Sequence, residues 1–409
     1  MADLDAVRSQ LVAALQAAGV GDVAERFSVA LVHQRIPQRI LAAIDEFIGV
    51  FDRVTQRPAW QSAMTAAAPP ICRQPRSEVC FFSAWDFHLP HDAPERWQLI
   101  ECNDNGSGLL FAALINRLFY EAAGASQGLS VAPPPTFDAV ADRVAAMIAR
   151  EAEQFFGARP EGLLLVVDDE VSLHTGRFRH ELALLRDLCR RHGWAAELGA
   201  PGELEWDGRR LLRRATPVCF VVNRSTDFFW TADAFAPLRA AYASAGVYIA
   251  PNPFTYATRS DKRLLVWLSS PARDTELGIT AEERALLSAH VPETHLLRAE
   301  NLDQLAAGKA ELVFKPSHGF ASRGLLASAQ LGHARLRRLL KRGDEYVAQK
   351  KVSKLPLDGG PPQHATLWAD LRVWAYRGER YLLSGRASRK PDGLDLSPPG
   401  GWLPTYAEA

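Results

Sequence analysis

Two oxygen-bearing side chains stand two residues apart in WQLIECNDNGSG (97–108): Glu101 and Asn103 follow an apolar run and precede a small, flexible turn. Side chains two apart on a strand share a face, so Glu101 and Asn103 look one way and Cys102 the other. Asp86 interrupts the aromatic run FFSAWDFHL in a similar manner. If the chain folds back about PHDAPE, residues 84, 86 and 88 share a face with 99, 101 and 103, and Asp86, Glu101 and Asn103 converge. Two carboxylates and an amide are hard oxygen donors of the kind magnesium takes, its shell completed by water and substrate phosphate. The competing reading is a solvent-facing polar stripe, which leaves unexplained why Asp and Asn, poor strand formers, stand there.

Cations and small residues supply a second kind of chemistry. In VFKPSHGFASRGLL (313–326), Lys315 ends an apolar strand and Pro316 breaks it, and Gly319, Ala321, Ser322 and Gly324 leave a loop with little bulk. Such a loop lets backbone N–H groups approach an anion, and the lysine adds a point charge suited to phosphate. No GK[ST] follows, so this is not a Walker A loop, nor is it a dinucleotide fingerprint; a hairpin between two core strands would explain the same residues. In RSDKRLLVWLS, Ser260 and Asp261 could cap a helix with Lys262 in its first turn. A cation there opposes the helix dipole, a local cost that a bound phosphate could offset; a solvated lysine is the alternative. Asp370 and Arg372 share a strand face in DLRVWAYRGERYLLSGRAS, and Arg386 and Arg389 follow on the return strand. A surface ion-pair lattice is the other explanation of these.

The elements that must position these groups read as follows. Residues 5–65 are helical by apolar spacing, and 79–89 and 97–103 form a hairpin. A helix follows in LLFAALINRLFYEAAG, and the proline-rich 130–138 is a linker. Strands and helices then alternate: strands at 162–170, 194–198, 217–230 and 247–253, with helices between. This alternation implies a parallel sheet, whose ligands sit outside the carboxyl ends of the strands. Asp168, Asp169, Asn223, Arg224 and Asp227 fall at such ends. The last part alternates again and closes in a hairpin with RGER at its turn.

Composition excludes some classes. Lys+Arg and Asp+Glu both number 47, so there is no basic excess of the kind that marks a general nucleic-acid or membrane-surface binder. No span approaches the ~20 apolar residues of a membrane helix, and the start lacks a signal-peptide run. The five cysteines are scattered without CxxC spacing, as in a cytoplasmic protein with reduced thiols.

Taken together, SDKRLL, VFKPSHGFASRG, YVAQKKV, DLRVWAYRGERY and IECND resemble the ATP-grasp superfamily. The resemblance implies a mixed α/β (α+β) chain: an ATP-grasp fold with a Rossmann-like parallel-sheet domain before it, to which the apolar spacing adds a helical N-terminal region. It divides the chain into 1–78 (helical), 79–129 (metal-binding hairpin and helix), 130–255 (linker and Rossmann-like domain) and 256–409 (nucleotide-binding subdomains). It implies ATP and Mg2+, and an ATP-dependent ligase that joins a small-molecule or peptide carboxylate to an amine or thiol through an acyl phosphate. No nucleic acid or membrane is implied, and a homodimer is a common state for such enzymes.

By the same resemblance Lys262 and Lys315 would hold the phosphates. Ser317, His318, Gly319, Ser322 and Gly324 would belong to the covering loop, with His318 either touching the γ-phosphate or solvated. Gln349, Lys350 and Val352 would form the hinge that meets adenine. Arg372 and Arg386 would face phosphates or substrate, Asp86, Glu101 and Asn103 would bind magnesium, and Asn223, Arg224 and Asp227 would hold the donor or acceptor, unless they only cap strand ends. The family's E-x-N strand usually comes last, whereas here it lies near residue 100, an order similar to eukaryotic glutathione synthetase and expected of a circular permutation. Lys350 and Lys351 occupy hinge positions where an acid is common, no proline–glycine follows the E-x-N, and the first 75 residues match no part of the pattern. Two other functions fit the same resemblance: a nucleotide-binding regulatory protein without turnover, and a phosphotransferase that stops at the phosphorylated product.

Overall fold

The computed structural model describes residues 4–20, 28–79, 82–127, 129–319, 324–326, 331–360 and 364–409. The helix Gln38–Thr55 repeats apolar residues at helical spacing, and Ile40, Leu41, Ile44, Phe47, Ile48 and Phe51 are buried on it. They pack against Trp85, Phe87, Leu99, Leu371 and Val373. These five come from three strands. On two of them the period of two sends Asp86, Asp370 and Arg372 to the opposite face. On the third, Leu99 was expected to share a face with Glu101, but a bulge at Ile100, where Phe87 pairs with Leu99 and Asp86 with Glu101, leaves Leu99 in the core and turns Glu101 to the polar face. That alternation explains why acids and arginines stand inside otherwise apolar strands.

The sheet so backed runs, in space, Gly401–Leu403, Glu379–Ser388, Thr366–Tyr376, Ser83–His88, Gln98–Asn103, with Leu355–Asp358 also paired to Thr366–Tyr376. All these pairings are antiparallel. The early hairpin is therefore part of the C-terminal sheet, as the permuted order requires. Arg377 and Gly378, with φ of 49° and 80°, make the tight link between Thr366–Tyr376 and Glu379–Ser388; positive φ at both central residues matches the twist of a two-residue hairpin.

On the front face, Ala84, Trp374, Tyr376 and Leu382 are buried in one cluster with the helix Leu109–Gln127. The proline-rich stretch gives way at residue 137 to a 20-residue helix, Phe137–Phe156, that the sequence reading does not include. Its signals are a Thr136 N-cap, accepting from the Ala139 N–H at 3.2 Å, and buried Val140, Val144 and Ile148. Glu151 on this helix is buried and accepts from the hydroxyls of Tyr248 (2.9 Å) and Tyr376 (2.6 Å), bridging two sheets.

The alternating segment forms the expected parallel core, Ala195–Gly199, Leu163–Val167, Thr216–Asn223 and Tyr248–Ala250. It is a mixed sheet, because Leu204–Trp206 and Leu211–Arg213 add antiparallel strands. The strand expected over 217–230 ends at Asn223, and a loop follows. A small antiparallel sheet, Thr294–Leu296, Tyr346–Lys350 and Leu312–Pro316, carries Phe314 and Ala348 in a cluster with Leu336 and Leu339 of the helix His333–Arg342. The N-terminal part is not wholly helical: Gln34–Ile36 pairs in parallel with Thr405–Ala407. Nor is Lys262 in a first turn. The helix is Leu264–Leu268 with Arg263 as N-cap, and Asp261 accepts the Arg263 N–H at 2.9 Å, so Lys262 lies just ahead of the helix. No described helix is long and apolar enough to cross a membrane.

Candidate functional site

Asp86 and Glu101 are direct cross-strand partners, and Ala84 pairs with Asn103. The convergence read from the hairpin is therefore present, and Asp86, Glu101 and Asn103 line one cavity of about 320 Å³. The two acids differ in what they meet. Asp86 accepts from Arg372 through both oxygens, at 2.6 and 2.7 Å, and from Arg386 Nη2 at 2.9 Å. Asp370 takes the rest of Arg386, at 2.7–3.2 Å. These are charge-assisted, partly bidentate pairs, and they form a neutral set of two arginines and two aspartates.

Glu101 instead faces lysines. Its Oε2 lies 3.4 Å from Lys262 Nζ, and its Oε1 accepts from Asn103 Nδ2 at 3.1 Å. Burial would raise the Glu101 carboxyl, but Lys262 and Lys315 outweigh it and hold the group well below the usual carboxylate range. Lys315 Nζ donates to Gln349 Oε1 at 2.6 Å and approaches the Ile100 carbonyl at 3.5 Å. Burial lowers the Lys315 ammonium to about 8, with Glu101 acting in the opposite sense. Lys262 Nζ donates to the Gly319 carbonyl at 2.7 Å, which ties it to the root of the loop. Among the described residues, eight Lys or Arg and four Asp or Glu side chains line the cavity, so this lining favours a polyanion.

Gln349, Lys350 and Val352, expected to form a hinge, line the same cavity. His88, two residues beyond Asp86 on the same face, meets the Val352 carbonyl through Nδ1 at 2.8 Å. Burial lowers its pKa to about 4, so the ring is neutral at pH 7 and Nδ1–H is the donor. Residues 391–396 add a strap along the cavity. Lys354 Nζ donates to the Gly393 carbonyl at 2.6 Å, and Lys351 lies 3.5 Å from Asp392. His88 and Lys354 were missed in the sequence, although period two from Asp86 points to His88. The strap carries no signal beyond its loop-like composition.

Several expected residues lie elsewhere. Ser317 is fully buried, its N–H donating to Glu345 O at 2.9 Å, and it does not line the cavity. His318 turns away toward Asp261 and Glu345, each at 3.5 Å, and packs edge-on against Phe229. Gly324, at φ +74°, abuts Pro316 and Tyr346 and is likewise absent from the lining. Ser322 lies outside the described residues.

The three residues expected to hold donor or acceptor are committed to the fold. Asn223 Nδ2 donates to Pro251 O at 3.1 Å. Arg224 is buried, donates to Gly106 O at 3.0 Å and pairs with Glu181 at 3.4 Å. Glu181 in turn accepts the N–H groups of Gly108 and Leu110, at 2.7 and 3.0 Å, at the start of the helix Leu109–Gln127. Asp227 caps its own loop, accepting from Thr231 and Ala232 at 3.1 and 2.9 Å. Their neighbours Thr226 and Phe228 reach the cavity instead.

The donor set bears on magnesium. Among the described residues no cluster of three or more His, Cys, Asp or Glu is arranged for a metal, and Asp86 is the counter-ion of two arginines rather than an open ligand. Glu101 and Asn103 remain: one ionised carboxylate, and one amide whose Nδ2 is turned to Glu101, leaving Oδ1 as an acceptor. They fit a hard cation that takes one or two protein oxygens and completes its shell with phosphate and water.

Among solved structures, the chain is similar to a glutathione synthetase-like effector from Globodera pallida in its apo form. The TM-score is 0.57 at 11% identity, covering 93% of this chain and 90% of that one. A gamma-glutamylcysteine synthetase-like protein from Methylobacillus flagellatus aligns at TM-score 0.46 and 10% identity, over 85% of this chain and 82% of that one. The ATP-grasp ligase PsnB, complexed with a minimal precursor, aligns at 0.30 and 15%, over 55% and 75%. No family model and no curated protein matches the chain. The chain shares the overall fold of the glutathione synthetase-like effector, a mixed arrangement of helices and sheets.

Proposed function

We propose that the chain is an ATP-dependent ligase that joins a carboxylate to an amine or thiol through an acyl phosphate. The observation that carries this is the meeting of Lys262 and Lys315, from separate segments, around Glu101, a buried ionised carboxylate that faces lysines where Asp86 and Asp370 are held by arginines. In this reading the hairpin and helix of 79–129 and residues 256–409 make the nucleotide site, 130–255 is the Rossmann-like part, and 1–78 backs the sheet.

Lys262, Lys315 and the backbone at Gly319 bind the triphosphate, and Gln349, Lys350 and Val352 meet the base. Glu101 and Asn103 would hold magnesium, which when bound neutralises charge on the transferring phosphoryl group. Arg372 and Arg386, held in place by Asp86 and Asp370, present fixed N–H groups to the substrate carboxylate or the acyl phosphate. A carboxylate oxygen attacks the γ-phosphorus, the bond to the β-phosphate oxygen breaks, and ADP leaves. The amine nitrogen then attacks the acyl carbon, the carbon–oxygen bond to phosphate breaks, and inorganic phosphate leaves as the amine proton passes to solvent. An acyl phosphate hydrolyses in water, so the strap 391–396 acts to limit solvent entry.

The test supplies ATP, magnesium and pooled carboxylates and amines, with ADP, phosphate and product followed together. Equal yields of ADP and amide that require both pools are expected. Tight ATP binding with no turnover in any pool would make the chain a nucleotide-binding protein, and a phosphorylated product without coupling would make it a phosphotransferase.

A further inference from the structure

Three aromatic side chains from separate segments line the cavity near the turn that follows Glu101. Asn105 Nδ2 donates to the carbonyls of Arg224 and Ser225, both at 2.7 Å, which draws the loop carrying Phe228 to the turn. A Cβ on Gly108, at φ +99°, would lie 2.2 Å from the Trp402 ring, so the indole sits directly on the turn's backbone. Phe111, at the start of the next helix, stacks on Phe178 with centroids 6.2 Å apart. Phe178, Phe228 and Trp402 line the cavity that contains Glu101. Phe228 lies flat on the buried Tyr256, centroids 4.1 Å apart and planes at 6°, yet it remains half-exposed.

The cavity changes character along one short segment. The Ile100 carbonyl lies 3.5 Å from Lys315, and Glu101 lies 3.4 Å from Lys262. Asn105 and Ser107, which follow Ile100 and Glu101 in the chain, line the same cavity as the aromatic side chains. A nucleotide with its phosphates on the lysines and its base at the hinge therefore leaves the aromatic end to a second substrate. Arg177, beside Phe178, adds an exposed cation to that wall.

We infer that this end of the cavity takes an aromatic amino acid as the amine to be acylated. Its ring packs among Phe178, Phe228 and Trp402, its carboxylate meets Arg177, and its amine points back toward Glu101, where the acyl phosphate forms. The fate of the amine rests on the ligase reading; its binding does not. Pre-placed ring faces favour an aromatic guest over an aliphatic one of similar size. The bond changes are those of the ligase: a carbon–nitrogen bond replaces the carbon–oxygen bond to phosphate.

The test titrates L-phenylalanine, L-tyrosine, L-tryptophan, glycine and L-serine into the full chain by calorimetry, with and without a non-hydrolysable ATP analogue. At least one aromatic amino acid should bind about tenfold or more tightly than glycine and serine, the scale of one good aromatic contact. Phe228→Leu, which keeps apolar bulk, should remove most of that preference. Arg177→Ala, on the surface, should weaken L-phenylalanine but not phenylethylamine. No aromatic preference in either condition overturns the inference, as do variants that melt like the parent and bind unchanged. Analogue binding is read separately: its loss with aromatic preference intact removes the ligase reading and leaves this subsite, and the converse removes the subsite alone.

Discussion

Arg372 and Asp86 stand directly opposite on neighbouring antiparallel strands, 286 residues apart in sequence, and meet through two hydrogen bonds of 2.6 and 2.7 Å. A bidentate pair across a register position fixes both side chains and the pairing of the two strands. It also consumes the acid that the sequence offers as a metal ligand. Asp86 works here by aiming two guanidiniums at the cavity.

Asp86→Asn should therefore act on stability first. Breaking a buried pair by neutralising one partner costs about 3–5 kcal/mol, and here Arg372 and Arg386 both lose a contact. A large fall in melting temperature is expected, with the magnesium dependence of any remaining turnover unchanged. A shifted magnesium dependence with normal melting would return Asp86 to the metal.

Glu101→Gln should do the reverse. The amide keeps the shape of the carboxylate, so the strand survives, but an anionic ligand is lost. Turnover should fall on the order of 100-fold, comparable to removing one electrostatic stabiliser, while ATP still binds with a weaker magnesium requirement. Glu95→Gln, an exposed acid in the same hairpin's loop, is the control and should change nothing. Near-normal coupling in Glu101→Gln would end the metal reading of IECND.

Lys315 predicts a pH dependence. Burial lowers its ammonium to about 8, so the free protein loses this charge as pH rises through 8. ATP-analogue affinity should fall between pH 7 and pH 9.5, and Lys315→Arg, always charged, should flatten the profile. At pH 7, Lys315→Ala should weaken binding more than about tenfold, as expected for a charged contact worth roughly 1.5–3 kcal/mol. Stability moves oppositely. With the folded pKa below the unfolded one, the unfolded chain binds more protons between about 8 and 10.5, so folding gains as pH rises through that window.

Arg224→Ala should unfold the chain more readily without touching ligand affinity. Arg224 is buried against Glu181 and Gly106, so its loss leaves Glu181 unpaired, at a cost of about 3–5 kcal/mol. Measured well below the new melting point, nucleotide-analogue affinity should stay within about twofold. A large loss of affinity at unchanged melting would restore Arg224 to the substrate site.

Much of the architecture was legible because it depends on periods and turns. Trp85 and Phe87 against Asp86 and His88 is a period of two, and it put the polar face of that strand on the correct side; on its partner the bulge at Ile100 broke the period, so Leu99 left the face of Glu101. The helix Phe137–Phe156 carries equally local signals, a threonine cap and an apolar stripe, and lay just beyond a linker whose prolines end at residue 135. The mixed character of the sheet was harder to see, since Leu204–Trp206 and Leu211–Arg213 are each three residues long, too short for alternation to register.

What the sequence determined by itself was which residues share a face and where the chain turns: Glu101 with Asn103, Asp370 with Arg372, the hairpin at Arg377 and Gly378. These follow from backbone geometry within a few residues. Only the tertiary structure decided which charge meets which. Arg372 and Arg386 reached Asp86 from almost three hundred residues away, Lys262 reached Glu101, and Arg224 turned inward to Glu181. A carboxylate's role is set by the cation within about 4 Å of it, and that neighbour depends on which strands pair, a choice made by packing across the whole chain rather than by any residue's local sequence.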